Sequence, residues 1–258
     1  MIYIAFLIFT FLILGFAFYQ WQHFMIFTPK YHREGYLADN CEILSIMSDD
    51  GVALEGVVYE PKEYKSTLLY FGGRSQDTVG LINKLANAFK NTRVITFNYR
   101  SYGKSAGVVN EKNVLSDSLF VAEIIQKNYG NFYILGFSLG SNIGAYVASK
   151  KDTLGLFLVG SFDSIASLAK EKYSLNISKL FRYKFPTVEY VKNIQAKTYL
   201  FVSKSDEVAY IQNARNLKEN VKNLVYYEEL DNLTHKEILW DSDVIEKINE
   251  VLVNDSIL

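Results

Sequence analysis

Gly136-Phe137-Ser138-Leu139-Gly140 is the stretch on which the reading of this chain turns. The β-prone run Phe132-Tyr133-Ile134-Leu135 leads into it, and the small-residue, helix-like run Asn142-Ile143-Gly144-Ala145-Tyr146-Val147-Ala148 leads out. A bare G-x-S-x-G arises by chance in roughly one chain in ten of this length, so the motif carries weight only through that setting. A strand turning sharply into a helix at one serine is a nucleophile elbow. The serine backbone is strained, and glycines two residues to either side let strand and helix approach without Cβ clashes. The spacing predicts Ser138 displayed at the carboxyl end of its strand. Such a serine needs a base, an acid and two N–H groups for an oxyanion.

Three histidines are available as the base. His23 and His32 precede the first expected strand, with no catalytic motif around them. His235 lies in Leu230-Asp231-Asn232-Leu233-Thr234-His235-Lys236-Glu237, a polar loop between the last expected strand and the terminal helix. From there an imidazole can project over the sheet edge. The acid must hold that ring in one tautomer, and the chain order of this architecture puts it between serine and histidine. Asp206 follows the strand at 198–202 through Ser203-Lys204-Ser205 and is the expected acid. Asp163, in Gly160-Ser161-Phe162-Asp163 after the preceding strand, is the alternative; Glu207 and Asp231 are less well placed. For the oxyanion hole, Leu139 supplies one backbone N–H, and the glycine pair of Phe71-Gly72-Gly73-Arg74-Ser75 points to Arg74 for the other. The Arg74 guanidinium is either solvated or an attractor for an anionic substrate group.

Outward from the elbow, short apolar strands alternate with helices. Two strands, 42–47 and 52–59, flank the turn Asp49-Asp50-Gly51 as an antiparallel hairpin. Strands follow at 67–71, 94–99, 132–135, 154–159, 198–202 and 224–227, with helices at 79–89, 114–126, after the elbow, and at 243–253. This alternation predicts a mainly parallel sheet with helices on both faces and ligands at the carboxyl ends of its strands. Residues 161–197 break the rhythm with a helical 165–173 and an aromatic, lysine-rich 180–190. They read as a small helical cap over the site, against a plain surface insertion.

The N-terminus is of different material. Residues 2–18 carry no charge and only Thr10 and Gly15 as interruptions, and Tyr19 and Trp21 follow where an interfacial aromatic belt would sit. As a helix they reach about 25 Å, at the short end for a bilayer core, so part of 19–27 falls in the interface. No basic n-region or small-x-small cleavage site favours a signal peptide, and an all-round apolar terminal stretch does not suit a core helix. Lys30 and Arg33 after the helix lean towards a cytoplasmic domain. The expected organisation is a membrane anchor at 1–23 and one domain at 24–258.

Composition narrows the function classes. With 27 basic and 28 acidic residues, the chain offers no electrostatic reason for a nucleic-acid partner. Its single cysteine, Cys41, rules out an intramolecular disulfide and opens an expected strand with no histidine arranged around it. Three scattered histidines imply no metal site, and no cofactor is expected.

With these residues in place, the chain from about Phe24 onward resembles the α/β-hydrolase superfamily, and within it the single-pass, membrane-anchored serine hydrolases grouped with serine aminopeptidase-like domains. Phe27-Thr28-Pro29 looks like the aromatic-x-Pro segment after the anchor, and Asp50-Gly51-Val52-Ala53-Leu54 like the first hairpin. Asn98-Tyr99-Arg100-Ser101-Tyr102-Gly103-Lys104-Ser105-Ala106-Gly107 is similar to the signature D-Y-R-G-Y-G-x-S-x-G, and Ser205-Asp206-Glu207-Val208 to the acid loop. Two departures stand out. Gly72-Gly73 replaces the usual His-Gly before the oxyanion donor, and Asn98 and Ser101 replace the signature's leading Asp and first Gly. The resemblance implies an α/β-hydrolase fold with an eight-stranded sheet, a small cap and an N-terminal transmembrane helix. Residues and resemblance together imply a Ser138-His235-Asp206 serine hydrolase; an ester or thioester is expected over an amide because its better leaving group demands less of the acid step, and an anchored site fits a small-molecule or lipidic acyl substrate. A serine aminopeptidase and a non-catalytic, membrane-tethered binding protein are the alternatives.

Overall fold

Continuous apolar runs in the central strands divide, by the two-residue period of a strand, between two separate cores. In β3 (Ser66–Phe71), Leu69 and Phe71 face one core while Leu68 and Tyr70 face the other. The same split separates Leu156 and Leu158 from Phe157 and Val159 in β6 (Gly155–Val159). The computed structural model describes residues 2–33, 35–174 and 180–254. Among these, the remaining strands are β1 (Cys41–Met47), β2 (Ala53–Tyr59), β4 (Thr92–Phe97), β5 (Tyr133–Phe137), β7 (Lys197–Ser203) and β8 (Leu224–Leu230). They form one eight-stranded sheet in the order β1-β2-β4-β3-β5-β6-β7-β8. The two pairs that include β2 are antiparallel, and every other pair is parallel. Helices α2 (Ile82–Ala88) and α8 (Ser242–Asn254) pack on one core; α3 (Glu111–Tyr129), α4 (Leu139–Ala148) and α7 (Ile211–Lys218) pack on the other.

Element boundaries differ from the sequence expectation where side chains redirect the backbone. The helix expected over 79–89 starts at Ile82, because the preceding residues turn around Asp77, whose carboxylate accepts the Gly80 N–H at 3.1 Å. The strand expected over 94–99 lies at Thr92–Phe97, since Tyr99 already closes a turn with the Tyr102 N–H at 2.9 Å. The helix expected over 114–126 runs from Glu111 to Tyr129. Asn110 caps it by accepting the Asn113 N–H at 2.9 Å, and Gly130 at φ 82° ends it.

Helix α1 (Ile2–Ile26) is long and apolar enough to cross a membrane, and none of its apolar window is buried against the protein. It continues three residues past the expected boundary at 23 and enters the domain without a break. The expected cap contains α5 (Ile165–Tyr173) and α6 (Thr187–Val191), separated by an irregular stretch. Residues 175–179 of that cap and 255–258 of the domain lie outside the described residues. The Glu111 carboxylate accepts the backbone N–H groups of Lys184 and Phe185, both at 2.7 Å, and so ties the irregular stretch to α3.

At the centre, β5 feeds α4 through the elbow, and the two glycines are sterically required. A Cβ on Gly136 would lie 2.5 Å from the Gly140 oxygen, and one on Gly140 would overlap the backbone oxygens of Phe71 and Gly72. Since the obstacle is backbone, it cannot rotate away. Gly140→Ala should therefore cost about 2–3 kcal/mol, seen as a fall in melting temperature of roughly 5–10 °C for a chain of this size. Gly15→Ala, with open space around it, should leave the melting temperature unchanged.

Candidate active site

Five loops converge on one edge of the sheet, at the carboxyl ends of β3, β5, β6, β7 and β8. Ser138 sits at the end of β5, with φ 54° and ψ −119°, a backbone conformation that costs a non-glycine residue of order 1–3 kcal/mol. Its carbonyl is held from three directions: by the Ser141 N–H at 3.0 Å, the Ser141 hydroxyl at 2.5 Å and the Asn142 side-chain amide at 3.2 Å. Thr187 of α6 donates its hydroxyl to Asn142, so the 161–197 segment braces the elbow from behind.

The structure brings Ser138, His235 and Asp206 together. His235 Nδ1 lies 2.7 Å from Asp206 Oδ2, and His235 Nε2 lies 2.7 Å from Ser138 Oγ. An ionised carboxylate only accepts, so the ring proton belongs on Nδ1 and Nε2 is left to accept from the serine hydroxyl. Asp206 is fixed in turn: its Oδ1 accepts the Val208 and Ala209 N–H groups at 2.8 and 2.7 Å. All three residues are buried, and the imidazole is flanked by the Phe137 ring, 5.1 Å away between centroids, and by Gly160, where a Cβ would come within 3.3 Å of it.

The other expected acids go elsewhere. Asp163 accepts from Ser167, from Asn213 at 3.3 Å and from Asn216 at 2.5 Å, and so locks the cap helix α5 to α7. Asp231 pairs with Lys204 at the surface. Glu207 accepts the His235 backbone N–H at 3.1 Å, and backbone donors, its own and that of His235, hold its carboxyl below the usual range. Glu207 thus positions the histidine main chain without touching the ring. His23 bonds the Tyr183 hydroxyl through Nδ1 at 2.9 Å, and the His32 N–H bonds Asp77, both away from Ser138.

The backbone N–H groups of Leu139 and Arg74 donate to no acceptor among the described residues. Leu139 opens α4, where first-turn N–H groups have no intrahelical partner. Gly73 brings the β3 loop onto the serine, since a Cβ there would stand 3.5 Å from Ser138 Cβ. With Gly72 where the resembled motif has histidine, the bracing comes from Gln76. Its Oε1 accepts the Gly73 N–H at 2.8 Å and the Tyr70 hydroxyl at 2.7 Å. Two tyrosines of the signature segment finish the support: Tyr99 donates to the Gly72 carbonyl at 2.8 Å and Tyr102 to the Arg74 carbonyl at 2.5 Å. Burial pushes all three phenols, Tyr70, Tyr99 and Tyr102, well above their ordinary range, so they remain donors throughout physiological pH. Arg74's guanidinium donates to the Met25 carbonyl of α1 at 2.5 Å. Sequence reasoning passed over Gln76 and the tyrosine supports; a glutamine three residues beyond a glycine in a tight turn was the available signal.

Beside Ser138 and Leu139 opens a cavity of about 360 Å³. Its walls are largely apolar, built from α1 through Phe18, Trp21 and Met25 and from the cap through Leu168, Phe181 and Tyr183.

Solved structures share this architecture. The esterase Pf2001 of Pyrococcus furiosus superposes with a TM-score of 0.66 over 88% of this chain and 96% of its own, at 15% identity. The acetyl xylan esterase of Paenibacillus sp. R4 gives 0.70 over 85% and 86%, at 12% identity. The chain has the α/β-hydrolase fold. No protein-family model matches it. Among curated proteins, R595 of Acanthamoeba polyphaga mimivirus, itself uncharacterised, is 23% identical over 72% of this chain and 71% of its own length. The lysophosphatidylserine lipase ABHD12 of Danio rerio is 33% identical over 97 residues, 35% of this chain and 25% of that lipase. The sheet is mainly parallel, as expected, with the antiparallel pairs confined to its β1–β2–β4 side.

Gln76→Leu removes both acceptor bonds and strands the Gly73 N–H, a defect of about 1–3 kcal/mol. The second-order rate of Ser138 labelling by a fluorophosphonate should fall roughly 10- to 100-fold while far-ultraviolet circular dichroism stays unchanged. Gln76→Glu, which keeps the acceptor, should recover most of that loss.

Proposed function

We propose that the chain is a membrane-anchored serine hydrolase that cleaves a carboxylic ester or thioester through an acyl-enzyme intermediate. The observation that carries this reading is the unbroken relay from Asp206 through His235 to Ser138, two contacts of 2.7 Å each, ending at an apolar cavity. His235 Nε2 takes the hydroxyl proton as Ser138 Oγ attacks the carbonyl carbon, and Asp206 stabilises the imidazolium that forms. The N–H groups of Leu139 and Arg74 receive the developing oxyanion. His235 then returns the proton to the departing alcohol or thiol. Water, deprotonated by the same nitrogen, releases the acid and restores the serine.

The lining supports an acyl group over an aminoacyl one. Phe18, Trp21, Met25, Leu168 and Phe181 give an alkyl chain apolar surface, at roughly 25 cal/mol per Å² buried. The esterase neighbours and the partial likeness to a lipase support the same choice. Residues 1–23 serve as the anchor and 161–197 as the cap of the 24–258 domain, and Lys30 and Arg33 favour a cytoplasmic face for that domain.

Two substitutions test the assignment. Ser138→Ala should abolish covalent labelling by a fluorophosphonate; labelling that persists at another residue would remove Ser138 from the mechanism. Asp206→Asn should lower kcat for a p-nitrophenyl ester by up to ~10⁴-fold through loss of the correct imidazole tautomer. Asp163→Asn, by contrast, should change kcat little and instead loosen the contact between α5 and α7, measured as a lower melting temperature.

A further inference from the structure

Helix α1 does two things at once. Over 2–17 every residue is exposed, as suits a membrane span, yet its last two turns are part of the cavity beside Ser138. Phe18, Trp21, Gln22, Met25 and Ile26 all line that cavity, a spacing of three to four residues that marks one helix face.

That face is fastened on both sides. Gln22 is 2% exposed, and its amide makes two hydrogen bonds to the cap main chain: Nε2 donates to the Leu180 carbonyl at 3.1 Å, and Oε1 accepts the Arg182 N–H at 2.7 Å. The side chain therefore pairs with the cap much as a neighbouring strand would. His23 adds the bond to Tyr183, and Phe27, just past the helix, packs edge-on against the Tyr183 ring at 5.1 Å. On the other side, Arg74 of the oxyanion loop holds the Met25 carbonyl. A plain tether would need none of these contacts, because one flexible linker keeps a domain at a membrane equally well.

The same contacts give the cavity a direction. Met25 is bonded to the oxyanion loop and marks the end near Ser138. Phe18 lies seven residues earlier on the same face, roughly 10 Å further along the helix towards its membrane-exposed length. An alkyl chain esterified at the Ser138 end would run from Met25 towards Phe18 with α1 on one side and α5 and Phe181 on the other.

We infer that the juxtamembrane face of α1 is the specificity wall of the acyl site, with Gln22 as its positioning residue, and that the substrate is a long-chain acyl amphiphile whose chain lies along α1. This rests on the reading of Ser138 as the nucleophile, and extends it: the helix that holds the protein in the bilayer also measures the acyl chain. Continuity supports an acyl chain as the occupant, since the apolar wall of the cavity and the exposed apolar surface of α1 belong to one uninterrupted helix.

The test uses the full-length protein in detergent micelles and compares kcat/KM for p-nitrophenyl palmitate and butyrate. Met25→Trp, filling the near end, should lower the palmitate-to-butyrate ratio at least tenfold. Phe18→Ala, opening the far end, should raise it. Replacing residues 2–17 with an unrelated apolar span should leave the ratio where it was. If Met25→Trp and Phe18→Ala both leave the ratio unaltered, or if the span replacement alone changes it as much as they do, the inference is overturned. A second arm does not need catalysis. A C16 diazirine fatty acid, photolysed with Ser138→Ala protein, should crosslink to the 165–173 segment of the cap, and Met25→Trp should reduce that yield severalfold. Equal crosslinking with and without Met25→Trp would overturn the wall even if esters are hydrolysed. Conversely, crosslinking that behaves as expected, alongside unmutated protein that hydrolyses neither ester and takes up no fluorophosphonate at Ser138, would uphold the wall and reject the hydrolase reading.

Discussion

A single backbone conformation organises this molecule. Ser138 must hold a positive φ to turn β5 into α4 within one residue, and the surrounding residues serve to keep it there. Three hydrogen bonds to its carbonyl offset the strain, and the missing side chains of Gly136 and Gly140 let the helix sit against the strand ends. The same turn points the hydroxyl towards His235 and the first N–H of α4 towards the space in front of it. Strain, a displayed hydroxyl and a first-turn N–H without an intrahelical partner are thus three results of one turn, and the loop from β3 comes close enough that a Cβ on Gly73 would stand 3.5 Å from Ser138 Cβ.

The parts legible in the sequence were those encoded locally. G-x-S-x-G announces its own turn, and the apolar runs announce a sheet buried on both faces. His235 and Asp206 were legible as candidates because each lies in a polar loop just after a strand, and the order of a parallel sheet puts such loops on one edge. What was not legible depended on contacts between distant segments. Gln76 has the composition of any loop glutamine; only the fold places its Oε1 between the Gly73 N–H and the Tyr70 hydroxyl. Asp163 shared Asp206's local setting, a carboxylate shortly after a strand, and only the approach of Asn213 and Asn216 from α7 gives it a different task.

The departures from the family signature show the same limit. Asn98, where the family has an acid, uses both ends of its amide. Its Oδ1 accepts the Thr78 N–H at 2.8 Å, and its Nδ2 donates to Asp77 at 2.8 Å and Glu55 at 3.1 Å. A carboxylate there would face two others across a buried cluster that already leans on Arg33 for balance. Ser101 occupies the signature's glycine position at φ 68°, and its hydroxyl bonds the Gly107 carbonyl at 2.8 Å, a local bond that helps a non-glycine residue hold the left-handed region.

The rigid junction of α1 with the domain has a mechanical consequence in a bilayer. If α1 crosses a bilayer as proposed, its fully exposed stretch 2–17 gives roughly 24 Å of helix before the bonded turns begin at Phe18, and any mismatch with the hydrocarbon thickness falls on that junction. A helix on a loose linker would relieve such a mismatch by riding up or down. This one is bonded through Gln22 and Met25 to the 180–182 segment and to Arg74, so a mismatch would be met by a local change in lipid thickness or by the domain moving with the helix. Either response would move Tyr19, Trp21 and Phe24 relative to the headgroups, and the cavity mouth with them. Under that reading, bilayer thickness would set the immersion depth of the cavity mouth.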